Sequence, residues 1–270
     1  MSHCFLAAAA DDTIIATWCS VAFEDTLRGL PSPVTDGDVT AERFLLHRDP
    51  ALEVYFAPLD RFNASARVAL VGITPGRSQA RLALATASAA LRAGASLDVA
   101  LAQAKSTASF ADPMRRNLVT MLDGIGLATA LDIPTCNDLF HERTDLVAMT
   151  SVVCHPVFVR GGENYRGSSP ALDGHPLLRA FAERVLAAAL TSAPDALVVP
   201  LGVAAEQGFR LAGVDPARVL SGFPHPSGGN GHRVAFFARE RSQLSAAVTA
   251  WGARGRRWPR PRAAPRAVGR

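Results

Sequence analysis

Apolar residues along this chain come in two textures. Short continuous runs such as Val68-Ala69-Leu70-Val71 and Leu197-Val198-Val199 alternate with longer stretches where apolar positions recur every three or four residues. A short continuous run fits a strand buried on both faces, and the second texture fits an amphipathic helix. Strands are therefore predicted at 67–71, 145–153, 196–201 and 218–222. Helices are predicted at 12–30, 77–93, 96–106, 114–122, 176–190, from 202 onward and at 235–251. A short helix at 41–47, an extended piece at Val54-Tyr55-Phe56 and a glycine-rich loop over 157–169 complete the pattern. Strands alternating with helices imply an α/β fold: a three-layer α/β/α arrangement around a central, mainly parallel four-stranded sheet.

Length and composition narrow this further. The chain has 270 residues, enough for one α/β domain with decorations, placed at 1–251. Residues 252–270 carry seven arginines and no acid, while the remaining 251 residues hold 21 basic and 24 acidic side chains. This Arg/Pro-rich tail cannot build a core and is expected to be disordered. A near-neutral body with a basic tail suits a polyanionic partner. It equally reflects a general preference for arginine, since Lys105 is the only lysine. No run of 18 apolar residues occurs, so no membrane span is expected. The first ten residues are apolar but lack a basic leader, so no secretory signal is expected. Cys4, Cys19, Cys136 and Cys154 form no C-x-x-C pair. That argues against a zinc or iron–sulfur site and for a reduced, cytoplasmic setting, with no metal and no cofactor.

Candidate chemistry concentrates in a few turns. The loop Phe223-Pro224-His225-Pro226-Ser227-Gly228-Gly229-Asn230-Gly231-His232-Arg233 follows a short apolar run and precedes a helix. Two prolines fix the backbone around His225 and aim one imidazole, whereas the glycines beyond permit close approach and offer Asn230, His232 and Arg233 at a flexible tip. A second turn, Gly72-Ile73-Thr74-Pro75-Gly76-Arg77-Ser78-Gln79, stands at the carboxyl end of the first clear strand, where open α/β sheets place ligands. It has neither the phosphate-binding P-loop pattern nor a dinucleotide fingerprint. The strand at 145–153 delivers Thr150, Ser151, Cys154 and His155 to the same end.

Gly72 to Gly76 and His225-Pro226-Ser227, in this order and about 150 residues apart, resemble the two active-site motifs of the uracil-DNA glycosylase superfamily. The resemblance spans roughly 67–251 and implies removal of a base from DNA by hydrolysis of its N-glycosidic bond. It implies a monomer acting on uracil-containing DNA, single- or double-stranded, without a cofactor. His225 matches the residue that donates a hydrogen bond to the uracil O2 as negative charge builds there. Thr74 falls where the family has a water-positioning acid or amide, so the catalytic pair is His225 and Thr74. Ser151 falls where the family has its base-reading asparagine, and Phe110 matches the phenylalanine on which the flipped base stacks. Gly72, Ile73, Phe110, Ser151 and His155 are thus the expected uracil-binding residues. Pro75, Gly76, Ser78, Ser227, Gly228, Asn230, His232 and Arg233 are the expected DNA contacts. The helices over 77–106 are an insertion relative to compact members, and the cysteine spacing excludes the iron–sulfur branch.

Replacement of the usual acid and asparagine by Thr74 and Ser151 leaves a second reading: a non-catalytic or weakly catalytic damaged-base binding protein on the same fold. A third is an unrelated α/β enzyme acting on a small nucleotide or sugar with His225 as acid or base.

Overall fold

The computed structural model describes residues 18, 20–111, 113–228 and 231–255. Its strands are β1 (Leu45–Arg48), β2 (Leu52–Tyr55), β3 (Val68–Gly72), β4 (Val147–Ser151), β5 (Val157–Val159) and β6 (Leu197–Pro200). They form two three-stranded sheets: β1-β2-β5, antiparallel, and β4-β3-β6, parallel. Among the described residues no helix is long and apolar enough to cross a membrane.

The continuous apolar texture of β3 has a direct cause: all five of its residues are buried. Alternate side chains enter different cores, as the two-residue period of a strand requires. Ala69 and Val71 pack with Phe181, Leu186 and Phe209, while Val68 and Leu70 pack with Leu118, Leu122, Leu244 and Trp251. Helical side chains therefore cover the parallel sheet on both faces. A third core joins Leu84, Ala87 and Ala104 of the alanine-rich helices Arg77–Arg92 and Leu97–Ala108 to Phe44, Phe56 and Phe158 beside the antiparallel sheet. Small alanines let those two helices lie close, and the large rings fill the space beneath.

The parallel sheet has three strands, not the four expected. The stretch 218–222 is reduced to a single parallel bridge, Val219 to Val198, and one further bond from the Leu220 N–H to the Val198 carbonyl at 2.8 Å. Its ends explain this: Pro216–Arg218 is a 3-10 turn, and Gly222 turns the chain at φ 83°. The stretch 41–47 also differs from expectation. Glu42–Phe44 is a 3-10 turn, after which the chain extends as β1. The Asp49 carboxylate accepts from the Ala51 and Leu52 N–H groups at 2.7 and 3.0 Å, building the turn into β2 that local apolar spacing does not reveal.

Other elements shift less. The predicted strand at 145–153 narrows to β4, and the loop at 157–169 opens with β5. The helix at 176–190 runs from Pro176–Ala180 through a π-helical Phe181–Leu186 into Ala187–Ser192. The final helix, Arg233–Gly255, extends past 251 into the stretch expected to be disordered; residues 256–270 lie outside the described residues. Of the helix predicted at 12–30, a 3-10 turn Ser20–Phe23 and the helix Glu24–Arg28 are seen, and 12–17 and 19 lie outside the described residues.

Candidate active site

Parallel pairing aligns three strand ends on one edge of the sheet. Gly72 of β3 stands opposite Ser151 of β4, and Val71 stands opposite Pro200 of β6. The Gly72–Gly76 turn thus lies in the middle, with Ser151 on one side and the Leu201-Gly202 turn on the other. The outer strands are two inter-strand spacings apart, roughly 10 Å.

Gly202 brings the second motif to this edge. Its φ of 94° suits only glycine, its N–H donates to the Phe223 carbonyl at 3.2 Å, and a Cβ placed on it would stand 2.9 Å from the Cβ of His225. The loop is also held from its far side. Asn117 Nδ2 donates to the Pro226 carbonyl at 2.9 Å, and Arg233 Nη1 donates to the Ser227 carbonyl at 2.7 Å. Within the loop, the Ser227 N–H donates to His225 Nδ1 at 3.2 Å. A nitrogen that accepts carries no proton, so the neutral ring is protonated on Nε2 and acts there as a donor. Burial lowers the His225 pKa from its usual 6.5, which favours this neutral form.

On the β4 side of the central turn lies a small cavity of about 20 Å3. Pro75, Gln79, Lys105, Phe110, Thr150 and Ser151 line it. Gly72 packs against two of these residues: a Cβ there would stand 3.4 Å from both the Phe110 ring and Ser151 Oγ. Phe110 is buried with φ 53°, a left-handed conformation rare for an aromatic residue. The strain is held by Arg115, whose Nη2 donates to the Ser106, Thr107 and Ser109 carbonyls at 2.7, 3.0 and 2.7 Å. A guanidinium at the end of the helix Leu97–Ala108 satisfies its last carbonyls and opposes its dipole.

Thr74 is half-buried between the sheets. Its hydroxyl donates to the His155 carbonyl at 2.7 Å and accepts from the Val157 N–H at 3.1 Å, tying the central turn to the start of β5. One lone pair is left to accept a hydrogen bond from a water. Ile73 faces away from the cavity residues, against Gly167, whose φ of 92° carries the 161–169 loop over Ile73 and Ala204.

His155, expected in the uracil pocket, sits elsewhere. It is fully buried, with Nε2 3.1 Å from the Trp18 carbonyl, Nδ1 3.3 Å from the Ala57 carbonyl, and the Trp18 and Phe56 rings around it. It joins the chain start to the core and does not line the cavity. Burial lowers its pKa, while the nearby Asp60 charge works in the opposite direction. Asn164, 87 positions away, caps the helix Arg77–Arg92, its side-chain oxygen accepting from the Arg77 N–H at 2.9 Å.

The expected DNA contacts divide by exposure. Ser78, Gly228 and His232 are exposed, Gly76, Ser227 and Arg233 are half-buried, and Pro75 is buried in the cavity wall. Asn230 lies outside the described residues. No local pattern singles out Gly202 or Asn117, which act through contacts between segments far apart in the chain, nor Arg115, which reaches back six to nine residues, nor Gln79 in the cavity wall. Lys105 does carry a signal of its own: it is the only lysine in a chain with 27 arginines.

No family model matches the chain. It is 37 % identical over 246 residues to the uncharacterized protein YoxB of Bacillus subtilis (strain 168), a match covering 89 % of this chain and 96 % of that protein.

Proposed function

We propose that this chain, which belongs to the same family as YoxB, is a DNA glycosylase that extrudes uracil and hydrolyses its N-glycosidic bond to leave an abasic site. On this reading the parallel sheet with helical cover on both faces is the three-layer α/β/α frame of such enzymes, in one cytoplasmic, monomeric domain. One observation carries it: the Gly72–Gly76 turn and the His225 loop occupy one edge of one sheet, with Phe110 and Ser151 beside the first and Gly202 fixing the second.

The chemistry follows from that layout. Swinging a base out of a duplex costs a few kcal/mol, offset by stacking on Phe110 and by backbone contacts from Ser78, Ser227 and the neighbouring Gly76 and Gly228. The tip carrying Asn230 and His232 enters the groove behind the departed base, while Arg233 braces it through the Ser227 carbonyl. The cavity has room for about one water, so Gln79 at its wall swings aside to admit a ring. As the bond to C1′ lengthens, charge collects on the uracil O2, and the Nε2–H of neutral His225 donates to it. A preorganised donor of this kind contributes about 3–4 kcal/mol. The sugar cation needs only a positioned water, which the remaining lone pair of Thr74 and adjacent carbonyls orient.

The Thr74 contacts also favour a second reading, a damaged-base binding protein with little or no turnover, because the hydroxyl already bonds two backbone groups and no carboxylate replaces it. Oligonucleotides bearing uracil, hypoxanthine, xanthine or a thymine mispair, incubated with the protein and cleaved with alkali, separate the two. Strand scission at uracil supports the glycosylase; retention of uracil DNA without scission supports the binding protein. Absence of both contradicts each.

A further inference from the structure

Ser151 offers one hydroxyl where a base must be told from its neighbours, which leaves an edge of the ring unread. Lys105 stands in the same cavity wall as Ser151, Thr150 and Phe110. It lies in the last turn of the helix Leu97–Ala108, five residues before Phe110, so one segment clamped by Arg115 delivers both. The side chain is half-buried, and its ammonium donates to the Leu59 carbonyl. An ammonium has three donors and no acceptor. The Leu59 carbonyl takes one.

Resting on the glycosylase reading, we propose that Lys105 is the base-reading residue of this site: its ammonium donates to the ring carbonyl that uracil presents where cytosine carries an amine, and so restricts excision to deaminated, keto-bearing bases. An amino base meets only donors there, and the resulting donor–donor clash leaves both groups unpaired in a closed site, the kind of mismatch that gives large discrimination. The same ammonium faces the anion that forms as uracil departs, since the charge spreads over both of its oxygens. Hypoxanthine stands to adenine as uracil stands to cytosine, so the class extends to deaminated purines that fit. Burial brings the Lys105 pKa down to about 8, opposed by the nearby Cys154 and Asp60 and reinforced by the Arg61 charge. The group is therefore charged at neutral pH and loses its proton under mildly basic conditions.

The test measures single-turnover excision of uracil, cytosine, hypoxanthine and adenine by the parent chain, Lys105→Gln and Lys105→Met, alongside affinity for DNA holding a non-cleavable abasic analogue. Expected for Lys105→Gln is a fall of about 100-fold on uracil and a rise on cytosine, because a glutamine amide also accepts from an amine. Abasic-analogue affinity stays within about twofold, a basic limb near pH 8 in the parent profile disappears in both variants, and Lys105→Met loses uracil excision without gaining cytosine. Should Lys105→Met fail to fold, the Gln variant and the parent's basic limb decide. A parent that excises uracil while both variants keep its rate and its uracil-to-cytosine ratio overturns the role of Lys105 alone. A parent that excises no base overturns the glycosylase reading and this inference with it.

Discussion

Gly202 and His225 touch so closely that a single added carbon between them would stand 2.9 Å from the histidine Cβ. At φ 94° and ψ 170°, Gly202 also occupies a backbone region essentially reserved for glycine. Gly202→Ala therefore costs about 1–3 kcal/mol of stability and displaces the embedded ring. A shift of about 1 Å in a catalytic group lowers turnover about 100-fold. The expected result is a folded protein that holds uracil DNA nearly as well as the parent and excises far more slowly, read by single-turnover kinetics and a binding titration in parallel.

Acid should weaken both chemistry and fold through two histidines, His155 buried and His225 half-buried. His225 and His155 both have folded-state pKa values below the ordinary 6.5, because burial disfavours the charged ring. Between the folded value and 6.5 the unfolded chain holds more protons, so the stability they confer is full above pH 6.5 and declines as pH falls below it. Protonation of His225 also places a hydrogen on Nδ1, facing the Ser227 N–H that now donates to it. Urea midpoints should begin to drop as pH falls below about 6.5, whereas excision by the folded protein should hold level past about 6.5 and fall only at lower pH, where the shielded His225 takes up its proton.

Thr74 joins the two sheets as well as offering a lone pair to water. Thr74→Val leaves the His155 carbonyl and the Val157 N–H without their partner, at a cost of about 1–3 kcal/mol in urea unfolding. In the fraction that remains folded, excision falls about tenfold, the value of one hydrogen bond to the attacking water. Thr74→Ser keeps both properties. Full excision by folded Thr74→Val would remove the hydroxyl from the chemistry and leave it a purely architectural one.

Arg115 holds Phe110 in its left-handed conformation by gripping three carbonyls upstream of it. Arg115→Met loses those bonds, about 1.5–3 kcal/mol for hydrogen bonds to a charged group, together with the guanidinium that lies 4.7 Å over the Phe140 ring. The segment then relaxes and Phe110 leaves the cavity wall. Weaker binding of uracil DNA relative to undamaged DNA is the expected signature, measured by competition.

What is visible in the chain itself follows from the range of the forces involved. β3, β4 and β6 announce themselves because strands buried on both faces have no polar side to interrupt the apolar run. The edge strands β1 and β5 do not: β1 is only partly buried and so shows no apolar run, and the three residues of β5 are fixed through the Thr74 hydroxyl, 83 positions away. The His225 and Gly72 turns are legible as motifs because proline and glycine leave a local imprint. His155 misleads for the same reason that it stands out: a histidine beside a proline at a strand end looks alike in a pocket or in a core, and the Trp18 and Ala57 carbonyls that bury it come from nearly a hundred residues or more away. The fourth strand falls short because Pro216 and Gly222 bend the chain at both ends of an otherwise apolar stretch.

His225 is tested most directly by one comparison, the single-turnover release of uracil from a defined oligonucleotide by the parent chain and by His225→Ala. A preorganised donor contributing about 3–4 kcal/mol predicts a loss of roughly 100- to 1,000-fold with DNA affinity little changed. Equal release by the two proteins, or none by either, would contradict the assignment of His225 as the group that receives the departing base.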